Sequence, residues 1–251
     1  FLDRPYDVDV ERLRLVTEAY QKHERCTPKL RCAYAFENIL LNVSLEIYGE
    51  DIILGEIAAP AKASPIYPEF SVDWIIDEVL HFPFEERAHD QFYIRNDVDR
   101  EEIVSLCRYW QGKTVDDLIN ASLDEDQLKG SEVGKKIFQT NLYHYAGVGH
   151  LVMDYEKLMR VGFDGLLMEA RKGLSQLTKE DADYADKRDF YQAMIISLEA
   201  AKKYIKRYAI LAEERAAAEQ DPKRREELET MAANCHQIAG GPAKTFWQAM
   251  Q

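Results

Sequence analysis

The chain has 251 residues, of which 46% are hydrophobic, so it can fill the core of one large domain or two small ones and is not expected to be disordered. Its formal net charge of -13 argues against a nucleic-acid partner, because phosphate binding needs clustered lysine and arginine. No apolar run approaches the roughly 20 residues that are needed to span a bilayer, so no membrane association is predicted.

The early part of the chain predicts helices with one strand between them. An arm is expected at residues 1–9, followed by helices at 11–23 and 28–47, the second of which Gly49 would end. Residues 51–60 are the best strand candidate, because they contain the apolar run Ile-Ile-Leu. The proline-rich residues 60–68 cannot form a regular helix.

Two polar residues in the next part predict helix starts. Ser71 is expected to cap a helix that carries Trp74, Ile75 and Val79. A helix at 100–111 precedes Gly112-Lys113-Thr114, which resembles the end of a phosphate-binding loop. The first glycine of that loop is missing and a helix precedes it where a strand is needed, so nucleotide binding is rejected and Thr114 is predicted to cap helix 115–121.

Long helices are predicted for the rest of the chain. They cover 156–177 and 179–220, and further helices begin after Asp221 and at 243. Glycines at 162, 165 and 173 indicate either close backbone packing or a break. The run Arg160-Val161-Gly162-Phe163 lies within this helical pattern. The chain is therefore predicted to be mainly α-helical with one or two short strands.

Four cysteines are spread through the chain, at positions 26, 32, 107 and 235. None forms a C-x-x-C pair and none has zinc-finger spacing, so no metal site is predicted. A metal site of His144 and His150 is also rejected, since their spacing does not put both on one helical face. Scattered thiols in a long acidic chain are typical of a reducing cytoplasm. Phe1 is not a natural first residue, so the sequence leaves open a missing leader.

The stretch with the greatest functional content is the turn at residues 147–155, Gly-Val-Gly-His-Leu-Val-Met-Asp-Tyr. Gly147 and Gly149 allow the backbone to turn sharply, and Asp154 is predicted to cap the helix that follows. His150 therefore lies at the positive end of a helix, which disfavours a charged imidazole. A neutral histidine there can offer one donor or one acceptor to a polar ligand. A purely structural backbone hydrogen bond is the alternative.

This turn resembles the substrate-contacting turn of the glycyl radical enzymes in the pyruvate formate-lyase superfamily, whose pattern is roughly G-x-G-[H/R]-x-x-x-D-Y. The run from Lys157 to Gly165 resembles in particular the B12-independent glycerol and diol dehydratase branch. The motifs Pro68-Glu69-Phe70-Ser71 and Trp110-Gln111-Gly112-Lys113-Thr114 also have counterparts in the family.

The resemblance implies that residues 1–251 are the helical amino-terminal part of a ten-stranded β/α-barrel domain, truncated before most of the barrel. None of the four cysteines has the family's G-C-x-E context, and a carboxy-terminal glycyl radical loop is missing. The fragment is therefore expected to contain no catalytic residue, to bind no cofactor and to be inactive alone. If the barrel is missing, Phe246, Trp247 and the Tyr143–Tyr145 region are expected at an exposed apolar surface.

In the family, the full-length enzyme is an anaerobic, cytoplasmic homodimer activated by a radical SAM enzyme. A glycyl radical generates a cysteine thiyl radical, which removes a substrate hydrogen before water is lost. His150 is expected to hydrogen-bond a substrate hydroxyl, and Tyr143, His144 and Tyr145 are further candidates for the substrate pocket. An arginine would suit an anion, so His150 favours a neutral polyol such as glycerol or propane-1,2-diol.

Other lyases remain open, with choline, hydroxyproline or a sulfonate as substrate, or an activity like that of formate acetyltransferase. The alternative that is not an enzyme is a stand-alone helical interaction module. A reading frame that continues past Gln251 into barrel strands would favour the enzyme, and a stop codon would favour the module.

Overall fold

The computed structural model describes residues 6–82, 94, 97–130 and 152–251. Their strands and helices follow in the order β1 (Asp7–Asp9), α1 (Glu11–Lys22), α2 (Pro28–Asn42), β2 (Ala63–Pro65), α3 (Asp73–His81), α4 (Asp97–Trp110), α5 (Val115–Ser122), α6 (Tyr155–Gln176), α7 (Tyr184–Ala218), α8 (Pro222–Ile238) and α9 (Phe246–Met250). Residues 125–130 are also helical. The predicted fold class, mainly α, is confirmed.

The chain divides into two compact units. The first comprises Phe1–Arg14 and Pro60–Val152, and the second comprises Leu15–Ala59 and Met153–Gln251. In the first unit, β1 and β2 pair in parallel with Asp7 opposite Ala63. Helices α3 and α4 pack together there. Their buried side chains include Ile75, Val79, Ile103, Cys107 and Trp110.

The second unit is built around α7, a helix of 35 residues against which α2, α6 and α8 pack. Its core combines Tyr208 and the small side chains of Ala209, Ala212 and Ala216 on α7 with Leu228, Met231, Ala232 and Cys235 on α8. The alanines on α7 leave room for the larger side chains of α8, because each alanine presents only a methyl group to the facing helix. The apolar stripe of α7 is buried only in this half, since Phe190 in the other half is 51% exposed.

The prediction of a strand at 51–60 is wrong. The residues from Tyr48 to Ile57, called here the 48–57 segment, are irregular, and its side chains Ile52, Ile53 and Ile57 are exposed. The apolar run was read as a strand, but the strands of the described residues lie elsewhere, at Asp7–Asp9 in the predicted arm and at Ala63–Pro65. Three-residue strands carry too little periodic signal to be recognised from sequence.

Two predicted helix boundaries also need correction. Helix α2 ends at Asn42 with Val43 as its C-cap, well before Gly49. Val72, and not Ser71, occupies the N-cap position of α3, and its side chain makes no capping hydrogen bond. Ser71 is buried instead, with 6% of its surface exposed. Both errors come from assigning a boundary to a favourable residue type when tertiary packing sets the boundary.

The described part of the chain contains no helix that is long and apolar enough to cross a membrane. Among the side chains that were expected at an exposed apolar surface, Phe246 is 82% exposed. Trp247 behaves differently, because it packs partly against the core of the second unit. The Tyr143–Tyr145 region lies outside the described residues.

Candidate functional site

The four residues predicted to contact a substrate, Tyr143, His144, Tyr145 and His150, lie outside the described residues. The structure describes the last part of their turn, from Val152 onwards. Asp154 accepts a hydrogen bond through Oδ1 from the Lys157 amide at 3.0 Å, so the predicted N-cap of α6 is confirmed. Val152 and Tyr155 beside it are 95% and 59% exposed, which leaves apolar side chains at the entrance to the helix.

Helix α6 is interrupted about two turns after its start, at Gly162. Its backbone has φ 65° and ψ -179°, and a Cβ atom there would lie 2.4 Å from the carbonyl carbon of Gly241. The Asp164 amide donates to the Gly240 carbonyl at 2.9 Å. Both readings of the glycines, close backbone packing and a break, are therefore confirmed at Gly162. The contact fixes the first turns of α6, which follow Asp154, against the end of α8.

A second close contact lies further along α6. A Cβ atom on Gly173 would lie 2.4 Å from Cε1 of Tyr191 on α7, so only a glycine allows this ring to rest on the helix backbone. Together the two glycines hold α6 against α7 and α8. Helix α6, which Asp154 caps, is thus a fixed element of the second unit.

The motifs around Glu69 and Thr114 form one structural element in the first unit. Arg12 binds both carboxylate oxygens of Glu69, at 2.6 and 3.1 Å, and its guanidinium lies 3.8 Å from the centre of the Tyr67 ring. The amides of Val115 and Asp116 donate to the carbonyls of Glu69 and Phe70. The first two amides of α5 are therefore already bonded to backbone carbonyls of the protein.

Thr114 caps α5 through a reciprocal capping box. Its hydroxyl accepts from the Asp117 amide at 3.1 Å, and the Asp117 carboxylate accepts from the Thr114 amide at 3.0 Å. Burial tends to raise the pKa of Asp117, but hydrogen bonds from Thr114 and the neighbouring amides outweigh it and lower the pKa. Lys113 lies over the Tyr109 ring at 3.5 Å. The predicted cap is confirmed, and the rejection of a phosphate-binding loop is consistent with these internal partners.

Side chains, and not a neighbouring strand, satisfy the backbone of the 48–57 segment. Tyr208 accepts from the Glu56 amide at 3.0 Å, and the Tyr204 hydroxyl donates to the Glu56 carbonyl at 3.1 Å. The Trp247 indole donates to the Ile52 carbonyl at 2.7 Å. Burial raises the pKa of both tyrosines, which therefore remain neutral hydroxyl groups at physiological pH. No sequence pattern signals these contacts, because the partners are about 150 to 195 residues apart.

The buried cysteines have no access to a substrate. Cys107 and Cys235 are at most 1% exposed, and burial raises the pKa of each thiol to about 12. Cys26 is half-buried and Cys32 is exposed. Within the described ranges, no three His, Cys, Asp or Glu side chains are grouped so that they could hold a metal ion.

Known proteins resemble the chain over nearly its whole length. The family model described as pyruvate formate lyase-like matches residues 2–251. The chain is 73% identical over 251 residues to the (2S)-3-sulfopropanediol dehydratase of Klebsiella oxytoca, covering 100% of this chain and 30% of that protein.

Two solved structures share the fold. The glycerol-bound form of the B12-independent glycerol dehydratase from Clostridium butyricum is similar with a TM-score of 0.90 and 35% identity, covering 99% of this chain and 31% of that one. A structure described for 1,2-propanediol dehydration in Roseburia inulinivorans has a TM-score of 0.90 and 33% identity, covering 99% and 30%. The chain therefore spans about 30% of the length of the relatives that it matches.

Proposed function

Because the chain belongs to the pyruvate formate lyase-like family, we propose that it is the amino-terminal part of a glycyl radical dehydratase that acts on (2S)-3-sulfopropanediol. The observation that carries this proposal is the 73% identity to a (2S)-3-sulfopropanediol dehydratase over every residue of the chain. Identity to the glycerol dehydratase is about half as high, at 35%. The longer protein would be a cytoplasmic homodimer, and a radical SAM enzyme would activate it.

The proposal changes the preferred substrate but keeps the role of His150. Glycerol and propane-1,2-diol were favoured because a neutral imidazole suits a hydroxyl group better than an anion. A sulfopropanediol has two adjacent hydroxyl groups as well as a sulfonate. His150 would bind a hydroxyl at one end of this molecule, and other residues of the longer protein would bind the sulfonate. The chemical argument for a histidine therefore applies to all three polyols.

The radical chemistry comes from outside this chain: a glycyl radical and a cysteine of the longer protein would remove the substrate hydrogen without B12. The contribution of this chain is to bind and orient. His150 would donate a hydrogen bond to the hydroxyl that leaves as water, and Tyr143, His144 and Tyr145 would line the same pocket. The Asp154 cap and the Gly162 contact support this role, because they fix the helix that follows the turn.

Loss of water from each of these three polyols gives an aldehyde, so one assay can compare the rates at which they react. The longer protein, activated without oxygen by its radical SAM enzyme, is supplied in turn with (2S)-3-sulfopropanediol, glycerol and propane-1,2-diol. We expect kcat/KM for the sulfopropanediol to be higher by about tenfold or more, because a site built for an anionic group leaves that group unpaired when the substrate lacks it.

The two unsulfonated polyols, glycerol and propane-1,2-diol, are the second candidate substrate class. Both structural relatives named above concern such substrates and share the fold at a TM-score of 0.90. A kcat/KM for glycerol or propane-1,2-diol equal to that for the sulfonated diol would replace the first proposal by this one. If none of the three polyols gave an aldehyde although the glycyl radical was present, both proposed substrate classes would be excluded.

A further inference from the structure

A basic groove lies between α6 and α7 of the second unit, in a chain whose formal net charge is -13. Its volume is about 810 Å³. Five of the residues that line it are cations and two are carboxylates: Arg171, Lys172, Lys202, Lys203, Lys206, Asp164 and Glu199. The groove is therefore positively charged against the sign of the whole molecule.

Both carboxylates of the groove are already paired. Arg171 binds Glu199 at 2.6 Å, and Lys202 binds Asp164. Lys203 lies 3.9 Å from Glu37 on α2, outside the groove. Over the described ranges 6–82, 94, 97–130 and 152–251, the side-chain ammonium groups of Lys172 and Lys206 have no ion-pair or hydrogen-bond partner. Two ammonium groups therefore remain available to a ligand.

The two lysines lie towards opposite ends of the groove. Lys172 follows Arg171, which pairs with Glu199, and Lys206 lies seven residues beyond Glu199 on α7. At 1.5 Å per residue, seven residues correspond to about 10 Å along the helix. A ligand with two separated anionic groups pairs with both lysines in extended conformations, whereas a single phosphate or carboxylate requires the two side chains to bend towards each other. The fitting ligand has two anionic groups about 10 Å apart.

Between the two lysines the groove is apolar. Leu167 is 6% exposed and forms part of the floor, whereas Met168 is 68% exposed. Methionine is flexible and polarisable, and it is frequent at surfaces that accept partner helices. In an α-helix with carboxylates at positions i and i+7, the residues at i+3 and i+4 lie on the same face as the carboxylates. Apolar residues at these two positions therefore lie between the two charges. Such a helix has the charge spacing and the apolar contact that the groove requires.

We propose that the α6–α7 groove binds an acidic amphipathic helix of a partner protein, with Lys172 and Lys206 pairing its carboxylates and Met168 contacting its apolar side chains. The site does not depend on the proposed dehydration. It would provide a specific attachment point on a protein whose net charge otherwise repels acidic partners.

The test uses the full-length protein and a fluorescein-labelled helical peptide of about 15 residues, with glutamates seven apart and leucines between them, measured by fluorescence anisotropy. We expect binding that weakens as salt is added. The double variant K172Q/K206Q should raise Kd by about fivefold, since each exposed ion pair contributes modestly. A peptide with glutamine at both glutamate positions should lose affinity for the wild type to the same extent.

The matched control is K179Q/K187Q, which removes two exposed lysines outside the groove and should leave Kd unchanged. Equal weakening by both double variants would show an attraction to general positive charge and overturn the proposal. Absence of peptide binding to the wild type would also overturn it. A single-stranded DNA oligonucleotide that binds the groove more tightly than the peptide, in the same lysine-dependent way, would reassign the groove to nucleic acid.

Discussion

Asp154 caps α6, the helix that follows His150 in the chain. Its cap was predictable, because a carboxylate followed by a helical pattern is a local signal. The conformation of Gly162 was only partly predictable. A glycine in a helix indicates a break or a close contact, but its partner, the turn at Gly240 and Gly241, is almost 80 residues away.

At His150, replacement by alanine in the longer protein should reduce the rate of diol dehydration by about 10²-fold or more, because the donor to the leaving hydroxyl is lost. The glycyl radical should still form, as measured by electron paramagnetic resonance after activation. His236, an exposed histidine bonded to Glu213 at 2.8 Å, provides the control, and its alanine variant should turn over normally. Normal turnover of the His150 variant would remove the proposed role.

At Gly162, replacement by alanine should destabilise the chain by about 3 kcal/mol, since the new Cβ atom would overlap the backbone of Gly241 and the left-handed φ disfavours a side chain. The midpoint of urea unfolding, followed by circular dichroism, measures the effect. Gly49 is the matched control, because nothing lies within 4 Å of its Cβ position. If the Gly49 and Gly162 variants unfold at the same urea concentration, the contact with Gly241 is not important for stability.

Among the elements, the helices were largely predictable and the 48–57 segment was not. Helices such as α6, α7 and α8 repeat their apolar residues over many turns, so the pattern dominates. The 48–57 segment has the composition of a strand, but its backbone partners are side chains of α7, α8 and α9. The sequence pattern predicts that a neighbouring strand supplies those hydrogen bonds, but side chains of distant helices supply them.

Tyr208 provides a test of this element. Its replacement by phenylalanine removes the acceptor for the Glu56 amide and should cost about 1 kcal/mol of unfolding free energy. Hydrogen–deuterium exchange should become faster at the Glu56 amide while the helices keep their protection. Tyr191, whose ring packs on Gly173, is the control for loss of a hydroxyl group. Unchanged exchange at Glu56 would contradict the assignment of its hydrogen bond to Tyr208.

For the molecule as a whole, the family resemblance and the mainly helical fold agree with the sequence-based expectation. The short parallel pair of β1 and β2 was missed, because its paired residues are 56 positions apart and each strand is only three residues long. Composition and net charge argued against a disordered chain and against a nucleic-acid partner. They could not reveal the basic groove, which is formed by residues of two helices that only packing brings together.

The buried hydroxyl and thiol groups predict how the whole chain responds to alkali. Burial raises the pKa of Tyr204 and Tyr208 above their usual value of 10.0. A raised pKa in the folded state means that stability is complete below pH 10 and is lost as the pH rises further, because the unfolded chain ionises first. Urea midpoints measured across this range should fall.

Replacing both tyrosines by phenylalanine should make that fall shallower. It should not abolish it, since Cys107 and Cys235 have pKa values raised to about 12 and act in the same direction above pH 9. An unchanged slope in the double variant would mean that the tyrosines ionise equally well in the folded chain. Comparing the slopes, and not the absolute midpoints, separates this effect from the loss of the two hydrogen bonds to Glu56.

The contact between Trp247 and Ile52 has a practical consequence for producing parts of this region. The indole donates to the Ile52 carbonyl, and Gln251 exchanges two hydrogen bonds with the Leu54 backbone. A recombinant piece that stopped before α9 would remove these donors and uncover apolar side chains of the core. Deleting the last few residues would therefore affect a segment that is nearly 200 positions away in the sequence, and soluble shorter versions would have to keep α9 or replace Ile52 and its neighbours with polar residues.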